Sequence, residues 1–256
     1  MTRLSSRAQS RDLSNVVAVV LAAGKGSRMK AKTKNKVAFK LNGQPIITHT
    51  VDHLRQAGLK NIIAVVGYRA ESVKTALSDN VRYALQSEQL GTGDAIKSAL
   101  PLIDADITTV LTVYGDDSAF YPPSLFTEMV AKKEASNCDL LFLTIYKDDP
   151  TGLGRIIRDK TGKVVSIVEE KVATDEEKKI QEINTGFYCF DRDFLVNYIN
   201  EIQKNPISGE YYLTDMIEIA LKHGKKVDAH FVKDDSVWHG INNRADFLRA
   251  QKKIRS

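Results

Sequence analysis

Val16-Val17-Ala18-Val19-Val20-Leu21-Ala22-Ala23-Gly24-Lys25-Gly26-Ser27-Arg28-Met29 is the stretch on which the fold turns. Its first eight residues are apolar and rich in valine, which suits a buried strand. Gly24 and Gly26 follow at once, where small residues let backbone approach a ligand and turn N–H groups toward phosphate. Arg3, Arg7 and Arg11 ahead of the run imitate a signal peptide, but the run is short and Lys25, Arg28 and Lys30 close it. A strand opening into a glycine loop is the better reading, and it predicts a cytoplasmic protein. The loop is not the dinucleotide fingerprint, because the third glycine of G-x-G-x-x-G falls on Met29. Nor is it a P-loop, which needs four residues between its first glycine and Gly-Lys.

Working outward, apolar runs at 61–68, 81–86, 108–114 and 139–146 alternate with helical patterns at 45–57, 70–77, 93–100 and 124–136. This rhythm predicts an α/β fold, Rossmann-like, with a mixed and mostly parallel sheet covered by helices on both faces. The second half changes character. Runs at 155–158 and 164–168 flank Asp159-Lys160-Thr161-Gly162, a hairpin signal. A charged helix over 174–181, a strand over 183–190 and a helix over 192–203 follow, pieces that could wall a pocket. Residues 1–14 read as a mobile polar extension, and 15–256 as a single domain without internal repeats.

Composition narrows the class. Hydrophobic residues at 43% and charged residues at 27% exclude a disordered chain or a fibre. Cys138 and Cys189 lie in apolar runs and read as reduced, buried thiols, too few for a four-ligand metal centre. No run approaches the roughly 20 apolar residues that span a bilayer. The net charge of +5 is uneven: residues 1–40 hold ten basic side chains against Asp12 alone, leaving 27 basic and 31 acidic groups elsewhere. With Phe39 the only aromatic in that segment, it lacks the interleaved aromatics of a nucleic-acid face. A local anion site, for phosphate, fits better.

Asp116 ends the run Thr109 to Gly115, where α/β sheets place ligand-binding carboxylates. It could hold Mg²⁺ with help from phosphates and water, or cap its loop, and Asp117 could serve the same role. In Gln86-Ser87-Glu88-Gln89-Leu90-Gly91-Thr92, Thr92 is placed to cap the next helix and Gln86 to read a polar base edge. Glu169, Lys171, Asn184 and Asn242-Asn243 are polar residues beside strands. No Gly-x-Ser-x-Gly elbow exists, no histidine neighbours a cysteine, and His49 and His53 lack the glutamate of a zinc protease. A reaction that needs no protein nucleophile fits this inventory.

Together these segments resemble the sugar-1-phosphate nucleotidyltransferases, and among them the uridylyltransferase domains of bifunctional enzymes that make UDP-N-acetylglucosamine. The likeness runs in order from residue 16 to 250: Leu21 to Met29, Lys36-Val37, Leu41 to Pro45, Gln86 to Thr92, Tyr114-Gly115-Asp116, Asp149 to Gly152, Gly154-Arg155-Ile156, Ile167-Val168-Glu169, Ile183 to Gly186, Gly209 to Asp215, and Gly240 to Arg244. It implies the nucleotide-diphospho-sugar transferase fold and an enzyme of nucleotide-sugar biosynthesis. Implied nucleotide contacts are Leu21, Ala22, Ala23, Gly24, Gly91, Tyr114 and Gly115, with Gln86 and Thr92 on the uracil side. Arg28 and Lys36 would be catalytic, on the triphosphate and the transferring phosphorus. Asp116 and Asn242 would hold Mg²⁺, and Gly154, Glu169, Asn184, Tyr212 and Thr214 would line the sugar pocket.

The implied reaction moves a uridylyl group from UTP to N-acetylglucosamine 1-phosphate, with no nucleic acid or membrane as partner and no oligomeric state specified. Alternatives are the same chemistry with another sugar 1-phosphate or dTTP, or a catalytically weak nucleotide-sugar-binding module. The chain departs from the family pattern at several points. Asn35 stands where a proline commonly precedes the lysine, so Lys34 is an alternative to Lys36. Asp117-Ser118-Ala119 replaces a Val-Pro-Leu-like turn, Leu153 a common tyrosine, and Val172 an aspartate. Nothing up to Ser256 resembles the hexapeptide repeats of the acetyltransferase half, so no acetyl transfer is expected.

Overall fold

The strand β1 (Val16–Ala22) is buried along its whole length. Successive side chains alternate across a strand, so Val16, Ala18, Val20 and Ala22 join one apolar cluster, and Val17, Val19 and Leu21 another on the opposite face. The computed structural model describes residues 12–26, 29, 32–170 and 173–254. A short ribbon, β2 (Lys40–Leu41) with β3 (Gln44–Pro45), follows the glycine loop. β4 (Asn61–Val66) lies parallel to β1, and β5 (Arg82–Leu85) parallel to β4. β6 (Thr109–Tyr114) lies parallel to β1 on its other side.

Beyond β6 the sheet turns mixed. β7 (Leu140–Tyr146) is separated from β6 by β10 (Glu182–Asp191), which runs antiparallel to both. β11 (Val227–Val232) closes the edge parallel to β7. The hairpin β8 (Arg155–Arg158) and β9 (Val164–Val168) joins β10 through Ile183 opposite Arg155. Among the described residues the result is a nine-stranded sheet, seven strands in the order β11-β7-β10-β6-β1-β4-β5 and the β8–β9 hairpin attached through β10.

Helices cover both faces, as the alternating pattern requires. α1 (Ile46–Gln56), α2 (Ala70–Leu77) and α4 (Pro123–Ser136) bury Ile47, Val51, Leu54, Val73, Phe126 and Met129 on one face. α3 (Thr92–Ala99), α5 (Arg192–Tyr198) and α6 (Asp215–Lys222) bury Ile96, Phe194, Leu195, Met216 and Ile217 on the other. α7 (Arg244–Lys253) rests on a third cluster, formed by Leu41, Ile46, Ala119, Ile241 and Ala250.

Three sequence expectations change. The segment 174–181 holds only a 3₁₀ turn at Glu177–Lys179, since Ile180 alone is apolar and no stripe exists to bury a helix. The helix expected over 192–203 stops at Tyr198 and tightens into a 3₁₀ turn, Ile199–Glu201. Leu13, assigned to the extension, is 3% exposed and belongs to the core, and its carbonyl accepts from Val16 N–H at 3.1 Å. No helix among the described residues is long and apolar enough to cross a membrane.

Candidate functional site

The chain steps from β1 outward to β4 and β5, then returns to β6 on the far side of β1. Such a reversal opens a crevice at the carboxyl ends of the strands. Here it holds a cavity of about 500 Å³. Leu21, Ala22, Ala23, Gly24, Gln86, Gly91, Thr92 and Tyr114 line it, eight of the nine residues expected at the nucleotide. Gly115 lies behind them, donating its N–H to Leu21 O at 3.0 Å and packed against Ile47.

The glycine loop is held by a residue the sequence reading treated only as a departure. Asn35 is 1% exposed, and its Nδ2 donates to Ala22 O at 2.9 Å, Tyr68 O at 2.8 Å and Gly24 O at 3.2 Å. Its Oδ1 accepts from Val37 N–H at 3.1 Å and its backbone N–H donates to Ser72 Oγ at 2.9 Å. The backbone at Asn35, φ −61° and ψ 149°, is one that proline adopts. Two carbonyls of the glycine loop are thereby drawn onto one amide.

Across the cavity, Gln86 is 3% exposed, and its Nε2 donates to Gly91 O at 3.0 Å and to Asp94 Oδ2 at 2.7 Å. Gly91 has φ +104°, and a Cβ there would come within 2.5 Å of Tyr211 O, so only glycine fits this crossing. Tyr211 is stitched to it by N–H to Leu90 O at 2.7 Å and by its carbonyl accepting from Gly93 N–H at 2.9 Å. The expected helix cap at Thr92 is corrected: Gly91 occupies that position, and the Thr92 hydroxyl accepts from Leu213 N–H at 2.9 Å instead. Gln89 and Glu210, which the sequence reading passed over, also line the cavity.

The charged end joins three distant segments. Lys36, Asp116 and Asn242 all line the same cavity. The Lys36 ammonium sits on the Asp116 carboxylate, which is 7% exposed. Lys34 instead lies over the Phe39 ring at 4.8 Å. Burial, then the neighbouring Asp116 carboxylate, pushes Asp117 well above the usual carboxyl range, while its Oδ1 accepts from Ile241 N–H at 3.3 Å. That bond ties β6 to the loop carrying Asn242, whose own N–H donates to Asp246 Oδ2 at 2.9 Å. Arg28 and Lys171 lie outside the described residues.

The expected sugar side lies behind Tyr114. Asn184 N–H donates to Gly154 O at 3.0 Å, and its side chain donates to the Tyr188 hydroxyl at 2.6 Å. Glu169 faces Gly154, where a Cβ would lie 3.4 Å from its Oε1. The Tyr114 ring lies against Gly186, and burial, with Asp117 and Glu169 adding, drives its phenol far above the ordinary range. Tyr212 bonds Ser208 Oγ at 2.7 Å, and Thr214 precedes α6. Asp215 beside it, unremarked in the sequence, is pushed up to about 6 by burial, then by Glu218 and Glu169. Gly154, Glu169 and Asn184 are thus brought together.

The sequence profile of the Nucleotidyl transferase family matches residues 17–256. The chain belongs to this family. It is 41% identical to the bifunctional protein GlmU of Enterococcus faecalis over 240 residues, 94% of this chain and 52% of that protein. It is 42% identical to GlmU of Heliobacterium modesticaldum over 234 residues, 91% of this chain and 51% of that one. The chain thus spans about half the length of these curated relatives. A putative glucose-1-phosphate thymidylyltransferase from Bacillus anthracis shares the fold, with a TM-score of 0.77 and 22% identity over 94% of this chain and 96% of its own.

Proposed function

We propose that this chain, as one domain from residue 15 to 256, transfers a uridylyl group from UTP to N-acetylglucosamine 1-phosphate, giving UDP-N-acetylglucosamine and pyrophosphate. The supporting observation is the convergence of glycine-loop backbone, the Gln86–Gly91 wall, Lys36, Asp116 and Asn242 on one cavity. Leu21 to Gly24, Gly91, Tyr114 and Gly115 hold the nucleotide largely through backbone. Gln86 and Thr92 address the base, while Gly154, Glu169, Asn184, Tyr212 and Thr214 receive the sugar. Relatives named GlmU, alike over this half of their length, support sugar-phosphate uridylyl transfer as the reaction class.

The sugar phosphate is a dianion at neutral pH, because a phosphate monoester's second pKa lies near 6. One of its oxygens attacks the α-phosphorus of UTP, and the bond to the β-phosphate oxygen breaks as pyrophosphate leaves. No protein base is required. The obstacle is crowding of negative charge, which positioned cations relieve. Lys36 and Arg28 are assigned to that task. Asp116 and Asn242 offer a carboxylate and an amide oxygen, hard donors that suit a divalent cation completed by phosphate and water. An ammonium already seated on Asp116 marks that carboxylate as a cation-binding group. When bound there, Mg²⁺ would neutralise phosphate charge and orient the triphosphate. Lys36, which lines the same cavity, would face the phosphates beside it.

The test is pyrophosphate release from UTP, Mg²⁺ and N-acetylglucosamine 1-phosphate, with glucose 1-phosphate and dTTP as parallel arms. Release that depends on the acetylated sugar phosphate and UTP supports the reading. Release with neither sugar and neither nucleotide refutes it.

A further inference from the structure

A buried amide next to a carboxylate has only one comfortable orientation. Both N–H donors of Gln86 are directed at groups that can only accept, Gly91 O at 3.0 Å and Asp94 Oδ2 at 2.7 Å. Turning the amide over would set its carbonyl oxygen against a carboxylate inside a site where the side chain is 3% exposed. Such a contact forfeits a hydrogen bond and adds repulsion. Asp94 itself is held in the first turn of α3, where a negative charge is favoured, and its carbonyl accepts from Ser98 Oγ at 3.0 Å. The polar atom that Gln86 has left for a ligand is therefore Oε1, an acceptor. α3 opens at Thr92, whose N–H has no partner within the helix.

We propose that Asp94 is a positioning residue that sets base selectivity, by locking the Gln86 amide so that Oε1 meets a pyrimidine N3–H. The proposal rests on the nucleotide-binding reading above. Uracil and thymine carry a donor at N3, whereas cytosine carries a lone pair there. The locked amide accepts from the first two and repels the third. A carboxylate can only accept, so it enforces one orientation. An asparagine in its place can donate to a flipped Gln86, which leaves Gly91 O as the one remaining group that resists the flip.

The experiment measures dissociation constants for UTP and CTP by calorimetry, and kcat/KM for both with the sugar phosphate, in wild type, Asp94→Asn and Asp94→Glu. Wild type is expected to favour UTP. Asp94→Asn is expected to lower the UTP/CTP ratio by about tenfold, the scale of one hydrogen bond lost and one repulsion relieved, while Asp94→Glu keeps most of it. A purely structural role lowers affinity for both nucleotides equally and leaves the ratio fixed, which overturns the proposal. The same pair of measurements in a Gln86→Ala background should show no effect of Asp94→Asn on the ratio, and a persisting effect also overturns it. If Asp94→Asn fails to fold, Asp94→Ser carries the same comparison. A wild type that binds neither triphosphate removes the nucleotide reading itself, an outcome distinct from a wild type that favours UTP with an unchanged ratio in the variant.

Discussion

Removing the Asn35 side chain should unsettle the glycine loop more than any other single truncation at the cavity. Asn35→Ala deletes donors to Ala22 O, Tyr68 O and Gly24 O, and the acceptor for Val37 N–H. A neutral hydrogen bond contributes about 1 kcal/mol net, and a buried carbonyl left without a partner costs about 1–3 kcal/mol. Water from the cavity can re-satisfy Gly24 O, which lies on its rim. Ala22 O is enclosed, since Ala22 is 2% exposed. The expected loss is therefore about 3–4 kcal/mol, or a fall in Tm of roughly 6–15 °C for a domain of this size. UTP affinity should fall about tenfold, because freed carbonyls can turn toward the phosphates.

Asn35→Asp sharpens the test. It is nearly isosteric, yet it replaces the donor Nδ2 with an oxygen facing three carbonyls, so it should be worse than alanine. Urea denaturation and calorimetric UTP binding supply the readouts. A loss below about 1 kcal/mol in Asn35→Ala, or an Asn35→Asp more stable than Asn35→Ala, refutes the clamp.

Four further outcomes are expected. Gly186→Ala places a side chain at φ +80° against the Tyr114 ring, and should cost roughly 2–5 kcal/mol in denaturant melts. Asp116→Asn should cut kcat about 100-fold or more and raise the Mg²⁺ concentration needed for half-maximal rate, with near-normal turnover contradicting its assignment. Arg28→Ala should remove most turnover with Tm unchanged, as measured by pyrophosphate release and calorimetry. Asp215, with a folded pKa raised to about 6 from 3.8, favours the native state in its protonated form. Its contribution is full below about 3.8 and lost as pH rises through about 6, so Asp215→Asn should flatten Tm against pH across that window and raise Tm at pH 7.

The fold was legible because β1 and its parallel neighbours are apolar on both faces, a pattern that little else satisfies. Segments whose order depends on partners distant in sequence were less legible. The charged stretch 174–181 has helix-forming residues but no apolar stripe, so propensity misled there. Thr92 carried the right residue type for a cap, yet the helix starts one residue sooner because Gly91 can take φ +104° beneath Tyr211. At the site, Leu21 to Gly24 and Asp116 stood out because strand ends announce them. Asn35 and Asp94 did not, since a lone asparagine among lysines or an aspartate in a first helical turn has ordinary local explanations. Only burial and the direction of their hydrogen bonds set them apart.

Two departures from the family pattern share one physical logic. Where a proline commonly precedes the lysine, Asn35 keeps the extended backbone and clamps the glycine loop through its amide. Where a proline is common after Asp116, Ser118 is fully buried, donates to Tyr114 O, and lies 3.1 Å from the Thr50 hydroxyl. Asp117 beside it accepts from Ile241 N–H, fastening the strand end to the loop that carries Asn242. A proline fixes φ through its ring, independently of its surroundings. An asparagine or serine fixes the same backbone only while its partners stay in place and water stays out. Both rims of the cavity are thus shaped here by side-chain hydrogen bonds. The glycine loop and the Asp116 turn accordingly depend on the packing of α1 and α2 behind them, because Thr50 belongs to the first helix and Ser72 to the second. A mutation on the buried faces of those helices should therefore weaken nucleotide binding at a distance, through the clamps, before it unfolds the sheet.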